Sequence, residues 1–233
     1  MKKFLTIALA ALLAGNAMAM DNVPESGLTW VGFAGLTVSN VKNLGLDPKV
    51  GVTFGVELDY MLPNAYGTYI STGLGWVQKG ARDTFIDSNP LTPSGTEVTK
   101  KVQLHYIQLP IHVGYRYNFS DKLGVYGEVG PYFALGITGK GKYKYEDYED
   151  TDYMFFGKHY EFGTQKAIQR FDCGFGFRVG AEFKNMYSLN VGYDWGLTDM
   201  YTDDYRKDFK ANHPYALKKM KNHNLAVTFG YRF

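Results

Sequence analysis

The sequence predicts an all-β fold: an eight-stranded antiparallel up-and-down transmembrane β-barrel. Three observations support this prediction. Apolar residues alternate with glycine and charged residues along eight segments, the mean hydropathy is negative at -0.26, and 16% of the residues are aromatic. A closed barrel accounts for all three, because every second residue faces away from lipid and aromatic side chains gather at the membrane interfaces.

The alternation is clearest in residues 169–198. From Phe171 to Phe183 the odd positions are apolar, whereas the even positions are Asp172, Gly174, Gly176, Arg178, Gly180 and Glu182. After a short turn at 184–186 the same pattern continues. Glycine mixed with charge suits a crowded, wet, concave interior, and the aromatic side suits lipid. The alternative, a soluble ligand-binding barrel, would need the apolar side inside and the glycine side in water.

The remaining strands follow in chain order. The first, 28–39, is the least regular, because Val31 and Phe33 interrupt its apolar phase. The second, 51–60, alternates clearly, and a proline-asparagine turn leads to the third, 66–78.

The second half of the barrel completes the count of eight. The fourth and fifth predicted strands are 102–118 and 122–137, joined by a short turn, and the sixth and seventh lie in the stretch described above. The eighth, 224–233, again sets apolar residues against small and polar ones.

Connection lengths predict the orientation. The turns after the second, fourth and sixth strands are short, whereas the segments 40–50, 79–101, 138–168 and 199–221 are long. Small bacterial barrels have short periplasmic turns and long external loops, so we expect both termini in the periplasm.

The N-terminus has the pattern of a Sec-type signal peptide. Lys2 and Lys3 precede an apolar run at 4–13, and small residues lead to Ala19. The run is too short for a membrane-spanning helix, which needs about 20 apolar residues. We therefore expect a cleaved segment 1–19 and an outer-membrane barrel domain at 20–233.

Charge and cysteine content limit the possible functions. The net charge of +2 falls to 0 without residues 1–19, which contain two lysines and no acid. This balance does not indicate a nucleic-acid partner. Because Cys173 is the single cysteine, no disulfide can form within the chain.

The predicted interior is rich in ionisable groups. The inward positions carry Glu57, Asp59, His112, Arg116, Glu128, Asp172, Arg178, Glu182, Asp194 and Arg232. Because an isolated buried charge is costly, we expect ion pairs and trapped water that hold the barrel shut. The alternative is a narrow polar path for ions or small solutes, although eight strands leave little lumen.

Two contacts follow from the expected hairpins. A turn near Asn185 would place Arg178 diagonal to Asp194. A turn centred on the serine between the fourth and fifth strands would place His112 opposite Glu128. Pairs of opposite charge at such positions stabilise a strand register.

Prolines interrupt the predicted ladder of the fourth and fifth strands. Pro110 and Pro131 fall within a residue of each other and lack a donor, so we expect a bulge or kink at that height. Barrel curvature explains them simply. A lateral opening for a lipid-like ligand is the alternative.

No catalytic set is recognisable. His105 has outward parity near the outer leaflet, but the strand serines point inward or lie at the periplasmic end, so no serine, histidine and acid converge. We expect no enzymatic activity, no cofactor and no metal.

The long connections carry tyrosines beside charged residues. The candidate contacts for an extracellular protein or glycan are Tyr143, Tyr145, Tyr148, Tyr153, Tyr201 and Tyr205. Tyrosine provides contact area at small entropic cost. Segments 143–148 and 153–162 also suit an exposed hairpin whose edge accepts a partner strand. The carboxylates of 146–150 lack the spacing of a regular calcium loop.

The last predicted strand has aromatic residues in one phase. Phe229, Tyr231 and Phe233 face lipid in this prediction. Such a terminal strand is the signal that barrel-assembly machinery recognises in outer-membrane proteins, so we expect these side chains to serve that purpose.

Several short motifs carry a family resemblance. They are VGFAGLTVSN at 31–40, WVQKG at 76–80, YIQLP at 106–110, GP at 130–131, DCGFG at 172–176, GYDWGLT at 192–198 and GYRF at 230–233. In this order the chain resembles the outer-membrane β-barrel family of Bacteroidota, a porin-like family often called PorT-like. The resemblance implies an eight-stranded outer-membrane barrel, and one branch of the family is similar to a component of type IX protein secretion.

These observations predict an integral outer-membrane barrel with a structural or surface-interaction role. The alternatives are a narrow passive channel and an accessory component of type IX secretion.

Overall fold

The computed structural model describes residues 27–42, 47–86, 97–144, 149–152, 156, 168–212 and 217–233. Its elements are β1 (Gly27–Lys42), β2 (Asp47–Met61), β3 (Thr68–Ile86), β4 (Glu97–Asn118), β5 (Leu123–Lys144), β6 (Glu149–Asp152), β7 (Phe171–Phe183), β8 (Tyr187–Gly196), α1 (Asp203–Asn212) and β9 (Lys221–Arg232). Within these ranges no helix has the length and apolar character needed to cross a membrane.

Eight of the nine strands close into a ring. Neighbours follow the order β4-β3-β2-β1-β9-β8-β7-β5, and β4 pairs with β5 to complete the circle. The ring pairs are antiparallel, so the predicted eight-stranded up-and-down barrel is confirmed. The short strand β6 pairs with the outer end of β5, outside the ring. Closure leaves no unpaired edge within the membrane.

Side-chain exposure shows which face of the sheet forms the outer wall and which face forms the interior. On β7 Phe175 and Phe177 are more than half exposed, whereas Asp172 and Glu182 are almost completely buried. The same inversion recurs around the ring, with apolar side chains on the outer wall and charged ones inside. A soluble barrel would show the opposite pattern, so the prediction of a lipid-facing wall is confirmed.

Inward glycines create the space that the interior rings occupy. A Cβ on Gly114 would lie 2.3 Å from the ring of Tyr69, and one on Gly180 would lie 2.5 Å from that of Tyr126. The polar side of the strands is therefore glycine-rich because large rings from neighbouring strands fill the narrow lumen.

Three strands continue further outward than predicted. β3 ends at Ile86 rather than at residue 78, β4 begins at Glu97 rather than at 102, and β5 ends at Lys144 rather than at 137. These extensions carry polar residues on both faces, so the hydrophobic period ends although the backbone pairing continues. β4 has 22 residues, about twice the 9–11 that cross a membrane, so it projects beyond the lipid.

The remaining boundaries are also corrected. β1 continues to Lys42, β2 begins at Asp47 and β9 begins at Lys221, so the predicted long connections are shorter than expected. The segment 199–221 was predicted as a loop, yet it contains α1, which Thr202 begins by accepting the Tyr205 backbone N–H at 3.3 Å.

The two hairpin predictions differ in outcome. Arg178 pairs with Gly192 and Asp194 with Gly176, so the predicted diagonal relation is correct. The residue opposite Glu128, however, is Gly114 and not His112. The turn between β4 and β5 is centred one residue later than expected, and this shifts the register by two.

The predicted bulge at the prolines is misplaced. Pairing of β4 with β5 stops after Pro110–Tyr132 and resumes at Val113–Val129 in the same register. The register shift lies instead at His105/Tyr106. A bulge needs an inserted residue, whereas a proline removes only a donor, so the ladder loses bonds there without a change of register. A lateral opening stays a hypothesis.

Candidate functional site

The end of the interior at the short hairpin turns is closed by a ring of four charges. This inner charge ring consists of Arg116, Arg232, Asp59 and Glu182. Arg116 lies 3.2 Å from the Asp59 Oδ2 atom and 2.8 Å from Glu182 Oε2. Arg232 lies 3.2 Å from the same Asp59 atom and 2.6 Å from Glu182 Oε1. Two cations and two anions on four strands balance one another, which is the condition for burying them.

A second group lies deeper in the barrel. This middle cluster comprises Arg178, Glu57, Glu128 and His112. Arg178 Nη1 contacts Glu57 Oε1 directly and lies 3.4 Å from Glu128 Oε1. His112 is buried with its Nδ1 atom 3.9 Å from Glu128 Oε2, and neither ring nitrogen has a hydrogen-bond partner among the described residues. The cluster is therefore only partly satisfied by protein groups.

Near the outer end a lysine lies wholly inside the barrel. Lys79 is 0% exposed, and its Nζ atom lies 3.1 Å from Asp172 Oδ2. The ammonium is also 4.6 Å from the ring centre of Tyr132 and 5.2 Å from that of Tyr106. Asn222 donates to the same Asp172 oxygen at 3.0 Å. The charge is thus compensated by an anion and two aromatic faces.

Lys79 was not among the predicted interior residues, because residues 79–101 were predicted to form an external loop. The signal was present, since Val77, Lys79 and Ala81 share the inward phase of β3 and all three are buried. Extending the predicted third strand by one residue, to 79, would have placed Lys79 in the interior.

Above this lysine the interior becomes apolar. The apolar cap consists of Val41, Ala81, Val102, Leu104, Tyr106, Tyr132, Ala134, Phe156, Ile168, Met200 and Met220, all buried. Seven of these residues come from barrel strands and the other four, Phe156, Ile168, Met200 and Met220, from the outer connections. A Cβ on Gly136 would lie 2.5 Å from the Phe156 ring, so this glycine makes the seat for it.

Backbone bonds fix the cap to the barrel mouth. Met200 N–H donates to the Met220 carbonyl at 2.9 Å, and Gln169 N–H donates to the Met200 carbonyl at 2.9 Å. Asp199 accepts from the Met220 N–H at 3.2 Å and pairs with Arg206 of α1. These bonds join the outer connections to one another, and the Gly136 N–H of β5 donates to the Arg170 carbonyl at 2.7 Å, which ties them to the barrel.

Two small cavities lie within the interior. One of about 40 Å³ is lined by Glu57, Gln108, Arg178 and Asp194 among others. The second, of about 20 Å³, borders the inner charge ring. A water molecule needs roughly 10–15 Å³ of such space, so each cavity holds at most a few waters.

The sequence also matches a known protein family. Residues 18–202 match the family model described as an outer membrane protein beta-barrel domain, which is most of the chain. The chain belongs to this family. Its place is accordingly the outer membrane, where the outer wall contacts lipid. No curated protein sequence matches the chain.

Several solved structures share features of this outer-membrane barrel. The attachment invasion locus protein Ail of Yersinia pestis is 14% identical and covers 90% of this chain and 100% of its own, with a TM-score of 0.40. Neisserial surface protein A is 9% identical with a TM-score of 0.44, covering 89% and 99%. A major outer membrane protein of Thermus thermophilus is 13% identical with a TM-score of 0.42, covering 89% and 100%. At these values the similarity carries no functional assignment.

The outer-membrane barrel brings the sequence-predicted interior residues into defined groups. Eight of the ten fall in the inner charge ring and the middle cluster, and Asp172 binds Lys79. Asp194 accepts a hydrogen bond from Gln108 Nε2 at 2.9 Å rather than one from Arg178. The diagonal geometry was thus predicted, but the partner was not.

The predicted residues of the last strand lie on the outer wall. Phe229, Tyr231 and Phe233 are all exposed on the lipid side. The ring centre of Tyr187 on β8 lies 6.1 Å from that of Phe229. Together they form an aromatic belt near the periplasmic boundary.

The predicted loop tyrosines are only partly described. Tyr201 stacks on Tyr205 of α1 with ring centres 5.2 Å apart, and burial raises the pKa of the Tyr201 hydroxyl. Tyr143 lies on β5, where its backbone is opposite Asp150 of β6. The other three, Tyr145, Tyr148 and Tyr153, lie outside the described residues, as do the carboxylates at 146–147.

The three histidines of the described ranges lie in different surroundings. His105 stacks on Trp76 at 5.0 Å, and His223 Nδ1 lies 2.7 Å from the Tyr193 hydroxyl. His112 lies directly opposite Ser71 in the β3–β4 ladder, but neither of its ring nitrogens has a hydrogen-bond partner among the described residues. Within the same ranges no group of three or more potential ligands could hold a metal ion.

Proposed function

We propose that this protein is a closed outer-membrane barrel with a structural or surface-interaction role and without catalytic activity. The observation that supports the proposal is the apolar cap lying over interior layers of paired charge. Conduction needs a continuous wet path, and an apolar constriction opposes the passage of hydrated ions. The charge layers below it fill much of a lumen that eight strands already make narrow.

Conductance tests the closed barrel directly. The refolded protein, inserted into planar bilayers, is expected to show no steady current at about 100 mV, because the cap and the inner charge ring block the axis in series. A reproducible single-channel current would reject the proposal and favour the passive channel. The small interior cavities, and the His112 ring nitrogens that have no hydrogen bond within the described part of the chain, are the observations that favour this second candidate.

The proposed interaction surface is the projecting outer end. β4 and β5 extend well beyond a membrane-spanning length, and β6, which pairs with β5 there, has no second strand partner among the described residues. Tyr201, Tyr205 and Phe209 stack along α1 beside it. Strand edges and aromatic rows suit a protein or glycan partner.

A pull-down from intact cells tests the interaction. Replacing residues 145–152 with a short glycine-serine turn should remove captured partners, whereas the double substitution Tyr201→Ala/Tyr205→Ala tests the helix side separately. Capture of secretion components would support an accessory role in type IX secretion and the PorT-like relationship. Identical capture by wild type and both variants would reject this surface.

The route to the membrane completes the proposal. Residues 1–19 serve as a Sec-type signal peptide, residues 20–233 form the mature barrel domain, and Phe229, Tyr231 and Phe233 are read by the assembly machinery. N-terminal sequencing of the protein purified from outer membranes should begin at Met20. Phe233→Ala should lower the folded fraction in the membrane but leave refolding in detergent unchanged.

A further inference from the structure

A groove on the outer wall is bordered by three rows of residues, each row being a cross-strand pair. One row is cationic, one is polar and one is apolar. The groove lies at the outer end of the seam between β1 and β9 and has a volume of about 420 Å³. Lys42 lines the groove, and Lys221, which is not part of the lining, faces Lys42 directly across the seam. Their chain neighbours Val41 and Asn222 are buried in the interior, so both lysines point outward. We call this site the rim groove.

The rows change character with depth. One step below the lysines, Asn40 faces His223, and one further step below, Val38 faces Leu225. Val38 and Leu225 are about 40% exposed, as expected of residues in contact with lipid. An outer-leaflet lipid would meet these rows in the same sequence, with acyl chains deepest, then the polar linkage, then the headgroup.

The two lysines form an unbalanced pair. Like charges directly across a strand pair repel each other and destabilise it. No acidic side chain in the described part of the chain makes an ion pair with Lys42 or Lys221. By contrast, the cross-strand pair Arg82 and Lys101 elsewhere on the outer rim has Asp47 opposite Arg82.

The polar row also has unused hydrogen-bonding capacity. Asn40 Oδ1 and His223 Nε2 lack a partner within the described ranges, although His223 Nδ1 lies against the Tyr193 hydroxyl. Both atoms are shielded from solvent, and buried polar atoms are rarely left unsatisfied, so a rotation of either side chain toward the groove would let a polar ligand group pair with it.

We propose that the rim groove binds a phosphate-bearing lipid of the outer leaflet. Lys42 and Lys221 contact the phosphate, Asn40 and His223 lie beside the polar linkage, and Val38 and Leu225 contact the acyl chains. An anion between the two lysines would turn their repulsion into shared attraction. The inference rests on the outer-membrane location and does not depend on whether the lumen is closed.

Binding of diphosphoryl lipid A to the detergent-solubilised full-length barrel tests the proposal. The affinity of the wild type is compared with that of Lys42→Gln/Lys221→Gln by native mass spectrometry. A lysine near a charged lipid surface contributes about fivefold, so the double variant is expected to bind roughly 20-fold more weakly. Lys42→Arg/Lys221→Arg should retain binding, which separates lost charge from lost folding.

Two controls decide whether the groove itself is the site. Arg82→Gln/Lys101→Gln removes the same charge from another part of the rim and should bind lipid A as the wild type does. Dephosphorylated lipid A should bind the wild type as weakly as phosphorylated lipid A binds the glutamine variant. Unchanged affinity in Lys42→Gln/Lys221→Gln, or an equal loss in the control variant, would overturn the proposal. So would competition by millimolar inorganic phosphate, because it would indicate a site for the free anion.

Discussion

The inner charge ring and the apolar cap fill opposite ends of the same lumen by different physical means. The ring uses four ionised side chains supplied wholly by strands, whose register fixes every partner within 3.2 Å. The cap uses hydrophobic contact and takes Phe156, Met200 and Met220 from the outer connections. Charge pairing tolerates little displacement and belongs where the backbone is rigid. Apolar packing is non-directional, so residues from irregular segments can supply it.

The largest effect should come from breaking the inner charge ring. Arg116→Met leaves Asp59 and Glu182 with Arg232 alone, and a buried charge deprived of its partner costs about 3–5 kcal/mol. The free energy of unfolding, measured by urea titration in lipid vesicles at neutral pH, should fall by that amount.

A double substitution supplies the control for the ring. Arg116→Met/Asp59→Leu removes a cation and an anion together, so it should be more stable than Arg116→Met alone, because an uncompensated charge is no longer buried. If both variants unfold at the same urea concentration as the wild type, the ring does not hold the barrel shut.

The second-largest effect is expected at Lys79, which lies between the inner charge ring and the apolar cap. Lys79→Met keeps the length of the side chain but leaves Asp172 with Asn222 and Tyr132 as its only described partners. We expect a loss of about 3 kcal/mol in the free energy of unfolding. Lys79→Met/Asp172→Asn should recover part of it in the same titration, and failure to recover any would show that the ammonium packs rather than pairs.

Sequence alone predicted the charged region far better than the cap. The 171–183 strand was predicted residue for residue, and its inward Asp172, Arg178 and Glu182 all lie in the interior. The period-two pattern exists because lipid requires apolar residues on one face. Beyond the membrane this requirement ends, and the pattern ends with it.

The cap could not be predicted for the same reason. Met200 and Met220 lie in connections where no repeat marks a buried residue, and Phe156 is one aromatic among several in its segment. Partners inside the barrel were missed for a second reason. A shift of one residue in the β4–β5 turn placed Gly114 instead of His112 directly opposite Glu128, so His112 reaches Glu128 only diagonally. Side chains as long as Arg178 also reach past their nearest neighbours to others.

A smaller effect should follow from thinning the cap. Met200→Ala removes a buried side chain, and such truncations cost about 2 kcal/mol or more, towards the low end where the surroundings can relax. The melting temperature should fall, yet planar-bilayer conductance should stay at background because the charge layers below still fill the lumen. A current in this variant would show that the cap alone closes the barrel.

The smallest effect contrasts the same substitution on the two sides of one wall. Ala134 is 3% exposed within the cap, whereas Ala181 points outward toward lipid on β7. Ala134→Leu forces three carbons into a packed interior and should cost about 1–2 kcal/mol in the free energy of unfolding. Ala181→Leu meets fluid acyl chains, so its effect should stay within about 0.5 kcal/mol. Matched urea titrations in the same vesicles give the difference directly. Equal losses would mean that the outer wall is packed against protein, as in an oligomer. No loss in Ala134→Leu would mean that the cap contains unfilled space and that its contacts do not limit the stability of the barrel.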